Sequence, residues 1–206
     1  MWGLGTRRSG ADPEEQVAHA GSIGLNAMLG VDLRVVREDG EDAMRGESGE
    51  IWMWADSMMS AYLNDESATK AAFAERRWYR TGDLARLDND GYLFIVDRLK
   101  DMIITGGENV YSKEVEDALA QHPSIADVPV FAVPHESWGE TVAVEIVTKP
   151  SETLTLEAVS RYLEGRLARY KIPRLVYFSE RLPLTPTGKV QKFVLREMRR
   201  SENRIR

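Results

Sequence analysis

Cysteine is absent from the 206-residue sequence, and long apolar runs are absent as well. Without cysteine the chain has no disulfide framework, no zinc–cysteine site and no thiol nucleophile. No uninterrupted apolar stretch approaches the ~20 residues that a membrane-spanning helix needs. Residues 1–12 lack the apolar core of a secretory signal. These absences predict a cytoplasmic protein without a membrane span.

Positive charge is also in deficit, with 27 Lys and Arg against 33 Asp and Glu and a formal net charge of -6. This balance argues against a protein that coats nucleic acid, so we expect no nucleic-acid partner. Histidine occurs three times, at His19, His122 and His135, without the spacing of metal ligands. We expect surface or capping histidines and no metal site.

The first part of the chain is patterned as short strands. Apolar runs predict strands at Leu33–Val36 and Ile51–Trp54, and a short helix is expected at Glu66–Phe73. Leu84–Leu87 and Tyr92–Val96 flank an Asp-Asn-Asp-Gly turn, which predicts a β-hairpin.

After Asp97, segments with the apolar spacing of helices alternate with predicted strands. The chain is therefore expected to split near residues 97–101, with mostly strands before the split and an α+β unit after it. The elements expected in the second part are a strand at Met102–Ile104, a helix capped by Ser112 that runs to about Gln121, strands at Val128–Val133 and Val142–Val147, a helix capped by Thr155 and closed by Pro173, a strand at Val176–Phe178 and a basic helix at Gln191–Arg199.

Two polar segments of the first part are candidates for ligand chemistry. In Tyr79–Asp83, the carboxylate of Asp83 could accept two hydrogen bonds from a vicinal diol; the alternative is a polar turn before the hairpin. Asp97–Asp101 carries four charges in five residues. The alternatives there are a solvated connection and a hinge in which Arg98 reaches a nucleotide and Lys100 absorbs a backbone rotation.

Three segments of the second part are also candidates. Gly106-Gly107 lets backbone approach a ligand, but it lacks the pattern of a phosphate loop, and a tight turn is the alternative. Lys189 ends a Thr-Pro-Thr-Gly-Lys loop and is a mobile cation suited to phosphate or carboxylate oxygens, unless it is a solvated surface lysine. Trp138 either packs or contacts a ligand tail.

The order and spacing of these motifs resemble the adenylate-forming superfamily, over about Gly21–Arg196. The matching motifs are Tyr-Arg-Thr-Gly-Asp at 79–83, the run from Asp90 to Tyr111, Trp-Gly-Glu at 138–140, and Pro-Thr-Gly-Lys-Val-Gln-Lys at 186–192. The segment from Gly106 to Glu116 resembles the acyl-CoA synthetase branch, which includes the fatty-acyl-CoA ligases. This disfavours a fragment of a peptide-synthetase adenylation domain.

The resemblance implies an ATP-dependent carboxylate–CoA ligase that takes ATP with Mg²⁺, CoA and a small-molecule carboxylic acid. The acid is first joined to AMP with release of pyrophosphate, and CoA thiol then displaces AMP. For the nucleotide, the resemblance implies that Asp83 holds the ribose hydroxyls and Arg98 contacts the nucleotide. It implies that Lys189 bridges the carboxylate and the α-phosphate as the catalytic lysine.

For the second step, the resemblance implies that Gly107 lines the pantetheine passage of CoA, with Trp138 near it. Lys100 would be the hinge about which the small domain swings between the two steps. Lys189 and the glycine pair are expected on opposite sides of the small unit, so that one rotation exchanges them.

Members of the superfamily carry a large domain upstream of this region. Residues 2–7 resemble a damaged form of an ATP-serving motif, and we expect the carboxy-terminal portion of a synthetase. Residues 1–97 would be the truncated, β-rich end of the large domain, 98–101 the hinge, and 102–206 the mobile α+β domain. Trp52 and Trp54 are then expected to be exposed. Alone, the chain would be weakly active or inactive; the alternative is a non-catalytic module that docks on a separate chain supplying the large domain.

Overall fold

The computed structural model describes residue 17, residues 19–25 and residues 30–203. The motif at residues 2–7 lies outside the described residues. The chain divides into two compact units, Met1–Lys100 and Asp101–Arg206. Within the described ranges, no helix is long and apolar enough to cross a membrane.

The first unit is built on a five-stranded antiparallel sheet with the order β1-β5-β4-β3-β2. Both predicted strands, the predicted helix and the predicted hairpin are confirmed, although the hairpin strands are longer than expected. The elements are β1 (Gly24–Leu25), β2 (Val31–Val36), β3 (Ser48–Ala55), α1 (Glu66–Ala72), a 3₁₀ turn (Glu75–Arg77), β4 (Tyr79–Leu87) and β5 (Tyr92–Arg98).

The core of this unit lies on one face of the sheet, where Val35, Ile51, Ala85 and Leu93 pack together. Side chains alternate between faces along a strand, so Trp52 next to Ile51 points to the opposite face. There its ring lies between the guanidinium carbons of Arg34 and Arg80, at 5.9 and 5.7 Å from the centroid.

The expectation that Trp52 and Trp54 are exposed is wrong, because both are half-buried. For Trp52 the physical reason is the cation–π stacking with two arginines, together with a hydrogen bond from its Nε1 to Glu50 Oε2 at 2.9 Å. Strongly exposed apolar side chains of this unit are instead Leu63 at 91%, Val17 at 76% and Met44 at 67%.

The second unit has a sheet centred on a ten-residue strand, β10. This strand pairs in parallel with β11 and antiparallel with β6, β8 and β9, while β7 pairs with β6. The elements are β6 (Ile103–Thr105), β7 (Glu108–Val110), α2 (Ser112–Ala120), β8 (Ile125–Asp127), β9 (Val130–His135), β10 (Gly139–Thr148), α3 (Leu156–Leu163), a 3₁₀ turn (Arg169–Lys171), β11 (Leu175–Phe178) and α4 (Lys192–Asn203).

Both faces of this sheet are covered, which explains why β9 and β10 are nearly continuous apolar runs. Val130 and Ala132 of β9 belong to the cluster that includes residues of α2 and α3, whereas Phe131 and Val133 pack with Leu195 of α4. Helices thus lie on both sides of the sheet, and the predicted α+β class is confirmed.

Several local predictions for this unit are corrected by the structure. Ser112 is the first helical residue of α2 rather than its cap, and its buried hydroxyl accepts a hydrogen bond from Lys192 Nζ at 2.8 Å. Gly106-Gly107 joins β6 to β7, so a strand rather than the helix follows it. Thr155 does cap α3, but the helix ends at Leu163, well before Pro173.

Two further segments differ from the predictions. Val128 and Pro129 separate two strands, β8 and β9, where a single strand from Val128 to Val133 was expected. Tyr79–Asp83 belongs to β4 and is not a turn before it, because the segment pairs with β3 on one side and β5 on the other.

Candidate functional site

Asp83 and Arg98 face each other across the β4–β5 pair. Their backbones are direct partners in the register, and Arg98 Nε lies 3.3 Å from Asp83 Oδ1. The Asp83 side chain is 37% exposed and that of Arg98 is 54% exposed. A carboxylate in this position has oxygens accessible to further donors, such as vicinal hydroxyls, and a cation directly beside it.

Asp83 is carried by a bulge in β4. Trp52 pairs with Arg80 and Glu50 pairs with Leu84, so residues 81–83 lie opposite the single residue Ile51. The hydroxyl of Thr81 donates to the carbonyl of Ile51 at 2.8 Å and accepts from the amide of Asp83 at 3.1 Å. Between them Gly82 adopts a φ of 73°, which favours glycine.

Glu50 lies behind this bulge and was not found by the sequence analysis. It is 7% exposed, and its carboxylate accepts hydrogen bonds from Gly82 N at 3.0 Å, Arg80 Nε at 3.0 Å and Trp52 Nε1 at 2.9 Å. The only signal available in the sequence was an acidic residue at the start of an apolar strand, and such residues are more often exposed.

Tyr79 begins the same strand, and its hydroxyl lies 3.4 Å from that of Tyr62. The hydrogen bond with Tyr62 raises the pKa of Tyr79 to about 12, with contributions from burial and from the charge of Asp83. Tyr79 is therefore a neutral hydrogen-bonding group at physiological pH, and it is the first residue of the strand that carries Asp83.

Lys100 lies in the 3₁₀ turn Leu99–Asp101, at the boundary between the two units, and is exposed. On the side of the second unit, Asp101 Oδ1 accepts a hydrogen bond from Arg196 Nη2 of α4 at 2.8 Å. The first residue of the second unit is thus tied to its last helix.

The glycine pair and Trp138 are brought together in the second unit. The amide of Gly106 donates to the carbonyl of Trp138 at 3.0 Å, and a Cβ on Gly106 would lie 3.7 Å from the Trp138 ring. Gly107, at the adjacent position, is exposed with a φ of 87°. The Trp138 ring stacks on His135 at 4.2 Å, and the guanidinium of Arg174 lies 3.4 Å from its centroid. Arg174 was not anticipated from the sequence.

Lys189 is presented by a tight turn. The amide of Thr185 donates to the carbonyl of Lys189 at 2.8 Å, and the Lys189 amide donates to Thr185 Oγ1 at 3.0 Å. Gly188, with a φ of 80°, allows the chain to reverse. The Lys189 side chain is exposed, and within the described part of the chain no carboxylate lies within 4.0 Å of its Nζ. A mobile ammonium therefore projects from a fixed turn.

His19 departs from the expectation of a surface histidine. Its ring is largely buried, stacks on Tyr92 at 3.7 Å, and lies 2.9 Å from Asp88 and 3.6 Å from Asp90. His19 and the two carboxylates thus lie together at the tip of the β4–β5 hairpin. By contrast, His122 and His135 each accept a hydrogen bond from a backbone amide two residues onward, as capping residues do.

Residues 114–189 match the family of AMP-binding enzyme C-terminal domains. The matched segment makes up about a third of the chain and lies within the second unit. The match ends at Lys189, and it covers most of α2, the central strand β10 and Trp138.

The chain is similar to two curated CoA ligases and to a solved ATP-bound structure. The chain is 43% identical over 184 residues to long-chain-fatty-acid–CoA ligase FadD13 of Mycobacterium tuberculosis, covering 89% of this chain and 36% of that protein. It is 42% identical over 186 residues to indoleacetate–CoA ligase of Aromatoleum aromaticum, covering 90% and 36%. The structure of ATP-bound MatB from Rhodopseudomonas palustris superposes with a TM-score of 0.81 at 37% identity, covering 87% and 36%.

The chain thus spans about a third of the length of these relatives. The resemblance to the carboxy-terminal portion of the adenylate-forming acyl-CoA synthetases is confirmed by the family match and by the relatives.

Proposed function

We propose that this chain serves as the carboxy-terminal portion of an ATP-dependent carboxylate–CoA ligase, which forms an acyl-adenylate and then an acyl-CoA. The observation that carries the proposal is the Thr185–Lys189 turn at the end of an AMP-binding C-terminal domain. It holds the backbone of Lys189 in place while leaving the ammonium exposed, as a group that must reach a reacting phosphate requires.

In the first step, Asp83 accepts hydrogen bonds from the ribose hydroxyls of ATP, and the adjacent Arg98 contacts the nucleotide. Lys189 bridges the substrate carboxylate and the α-phosphate. As the carboxylate attacks, negative charge gathers on the phosphoryl oxygens, and the Lys189 ammonium stabilises it. ATP enters as its Mg²⁺ complex, so the ion is part of the substrate.

In the second step, the exposed Gly106-Gly107 turn lines the path of the pantetheine arm of CoA. A residue without a side chain lets the arm lie against the backbone. Trp138 supplies an apolar wall beside the turn, and its ring is held between His135 and Arg174. Lys100, in the turn between the two units, is the hinge about which the AMP-binding C-terminal domain changes its position between the steps.

A fatty acid is the carboxylate that we propose, since a long-chain-fatty-acid–CoA ligase is 43% identical to the chain. The indoleacetate–CoA ligase at 42% identity marks aryl acids as the class to test beside it.

The test is a chimera in which the matching 184 residues of the M. tuberculosis ligase are replaced by their counterparts from this chain. The purified chimera is incubated with ATP, Mg²⁺, CoA and a panel of fatty and aryl acids, and acyl-CoA and AMP are measured by mass spectrometry. Lys189→Ala removes the catalytic ammonium. Lys149→Ala is the matched control, because Lys149 is also an exposed lysine of the second unit.

The proposal predicts acyl-CoA and AMP in equal amounts, a loss of both in Lys189→Ala and none in Lys149→Ala. A folded chimera without product would contradict it. In that case the 206-residue chain is tested for binding to a separately expressed large domain of the relative. Stable binding without turnover would favour the docking module expected as the alternative.

A further inference from the structure

We infer that Glu50 is the positioning residue for Asp83: its buried carboxylate holds the β4 bulge in the shape that presents Asp83 to the ribose. This inference rests on the proposed role of Asp83. Glu50 does not touch the nucleotide in this account. It acts through the backbone of the bulge, from the neighbouring strand β3.

Glu50 contacts β4 at two residues, one within the bulge and one directly before it. One carboxylate oxygen, Oε1, accepts the amide hydrogen of Gly82 at 3.0 Å. The other, Oε2, accepts from Arg80 Nε at 3.0 Å. The residues before and after Thr81 are thus tied to one side chain, and the next residue in the chain is Asp83.

The surroundings of Glu50 require a side chain that accepts hydrogen bonds. The three groups that point at Glu50 are all donors: a backbone amide, a guanidinium and an indole N–H. On the β3 side, residues 81–83 lie opposite the single residue Ile51, and Glu50 accepts the amide hydrogen of Gly82 there. Without Glu50, the amide of Gly82 would be left without its partner, and a glycine at positive φ offers little resistance to rearrangement.

The bulge also sets the register of Asp83 against Arg98. Asp83, the last residue of the three-residue bulge, pairs with Arg98 on β5. A bulge that relaxes by one residue would turn the side chain of Asp83 to the other face of the sheet. The expected effect of losing Glu50 is therefore specific: recognition of the ribose hydroxyls weakens, while groups of the second unit keep their places.

The test measures how strongly the chimera prefers ATP over 2′-deoxy-ATP and 3′-deoxy-ATP, as a ratio of kcat/KM values, together with the KM for CoA. Asp83→Asn gives the preference for ATP that remains when the ribose hydroxyls are not recognised. Glu50→Ala removes the acceptor, and Glu50→Gln keeps one oxygen for Gly82. Trp52→Phe is the matched control, because it removes one donor to Glu50 and leaves the contact with Gly82 in place.

We expect Glu50→Ala to lower the preference at least ~10-fold, towards the Asp83→Asn level, with the KM for CoA unchanged. Glu50→Gln should fall between Glu50→Ala and the parent, and Trp52→Phe should match the parent. Circular dichroism melting of the full chain identifies variants that fail to fold. If Glu50→Ala does not fold, the ATP preference of Glu50→Gln tests the inference instead.

A preference retained in the folded Glu50 variants, while Asp83→Asn abolishes it, would overturn this inference and leave the proposed function standing. A preference that Asp83→Asn itself does not change would overturn the assigned role of Asp83 and the inference with it. Equal losses in Trp52→Phe and Glu50→Ala would show that Glu50 acts through general stability instead.

Discussion

Glu145 is a fully buried carboxylate in the middle of β10, within an otherwise apolar run that is buried on both faces. It points to the face covered by α4, and Arg199 of that helix binds it through Nε at 2.9 Å and Nη2 at 2.6 Å. The hydroxyl of Ser179 donates to it as well. The sequence gives no indication of the partner of Glu145, because Arg199 lies 54 residues further on.

Removing one partner of a buried ion pair leaves an uncompensated charge. Arg199→Ala should therefore lower the free energy of unfolding by ~3 kcal/mol. Arg200→Ala is the control, because Arg200 is exposed and its nearest carboxylate, on Glu197, is 3.9 Å away; it should change stability by less than ~0.5 kcal/mol. Urea unfolding of both variants gives the comparison. Equal losses would mean that the Glu145–Arg199 pair has no special role in stability.

Tyr79 gives the first unit a dependence on alkaline pH. Its pKa is raised to about 12 by the hydrogen bond with Tyr62, by burial and by nearby charge. A raised pKa means that the folded state binds the proton more tightly than the unfolded state does. The resulting stability is fully present below pH 10 and is lost as the pH rises from about 10 to about 12.

The measurement is the urea midpoint of the parent and of Tyr79→Phe at pH 9 and at pH 11. The parent should lose more stability over this interval than Tyr79→Phe, which cannot ionise at this position. Absorbance at 295 nm follows the ionisation directly. An identical loss in the two proteins would contradict the assignment.

At the scale of the element, the strands of the first unit were predictable because each has a local signature. The Asp-Gly turn and the alternating apolar residues identified the β4–β5 hairpin. The bulge was not predictable, since it depends on Glu50, which lies 32 residues before Gly82. For the same reason Ser112 resembled a helix cap: its contact with Lys192 joins residues 80 positions apart.

Gly49 of β3 shows how closely two strands approach. A Cβ at this position would lie 2.6 Å from the carbonyl oxygen and 2.7 Å from the carbonyl carbon of Val36, which are backbone atoms and cannot move aside alone. Gly49→Ala should therefore force β2 away from β3 and lower the free energy of unfolding by ~1–3 kcal/mol. Ser48→Ala, one residue earlier in the same strand, is the control. Thermal unfolding that is unchanged by Gly49→Ala would contradict this packing.

At the scale of the whole molecule, the chain is two units joined at the turn that contains Lys100. Asp83 and Arg98 belong to the first unit, while Lys189, Gly107 and Trp138 belong to the second. We propose that Lys189 serves one half-reaction, and that Trp138 and the Gly106-Gly107 turn serve the other. The order of the sequence motifs predicted these functional residues. Glu50 and Arg174 were not predicted, because only their contacts in the folded structure identify them.

The most direct test of this account separates the two half-reactions in the chimera. Adenylation is followed by ATP–pyrophosphate exchange, and thioester formation is followed from a synthetic acyl-adenylate and CoA. Lys189→Ala should slow exchange roughly 100-fold and leave thioester formation little changed. Trp138→Ala should do the reverse, slowing thioester formation alone. If both variants slow both reactions to the same extent, or if Lys189→Ala leaves exchange intact, the account is contradicted.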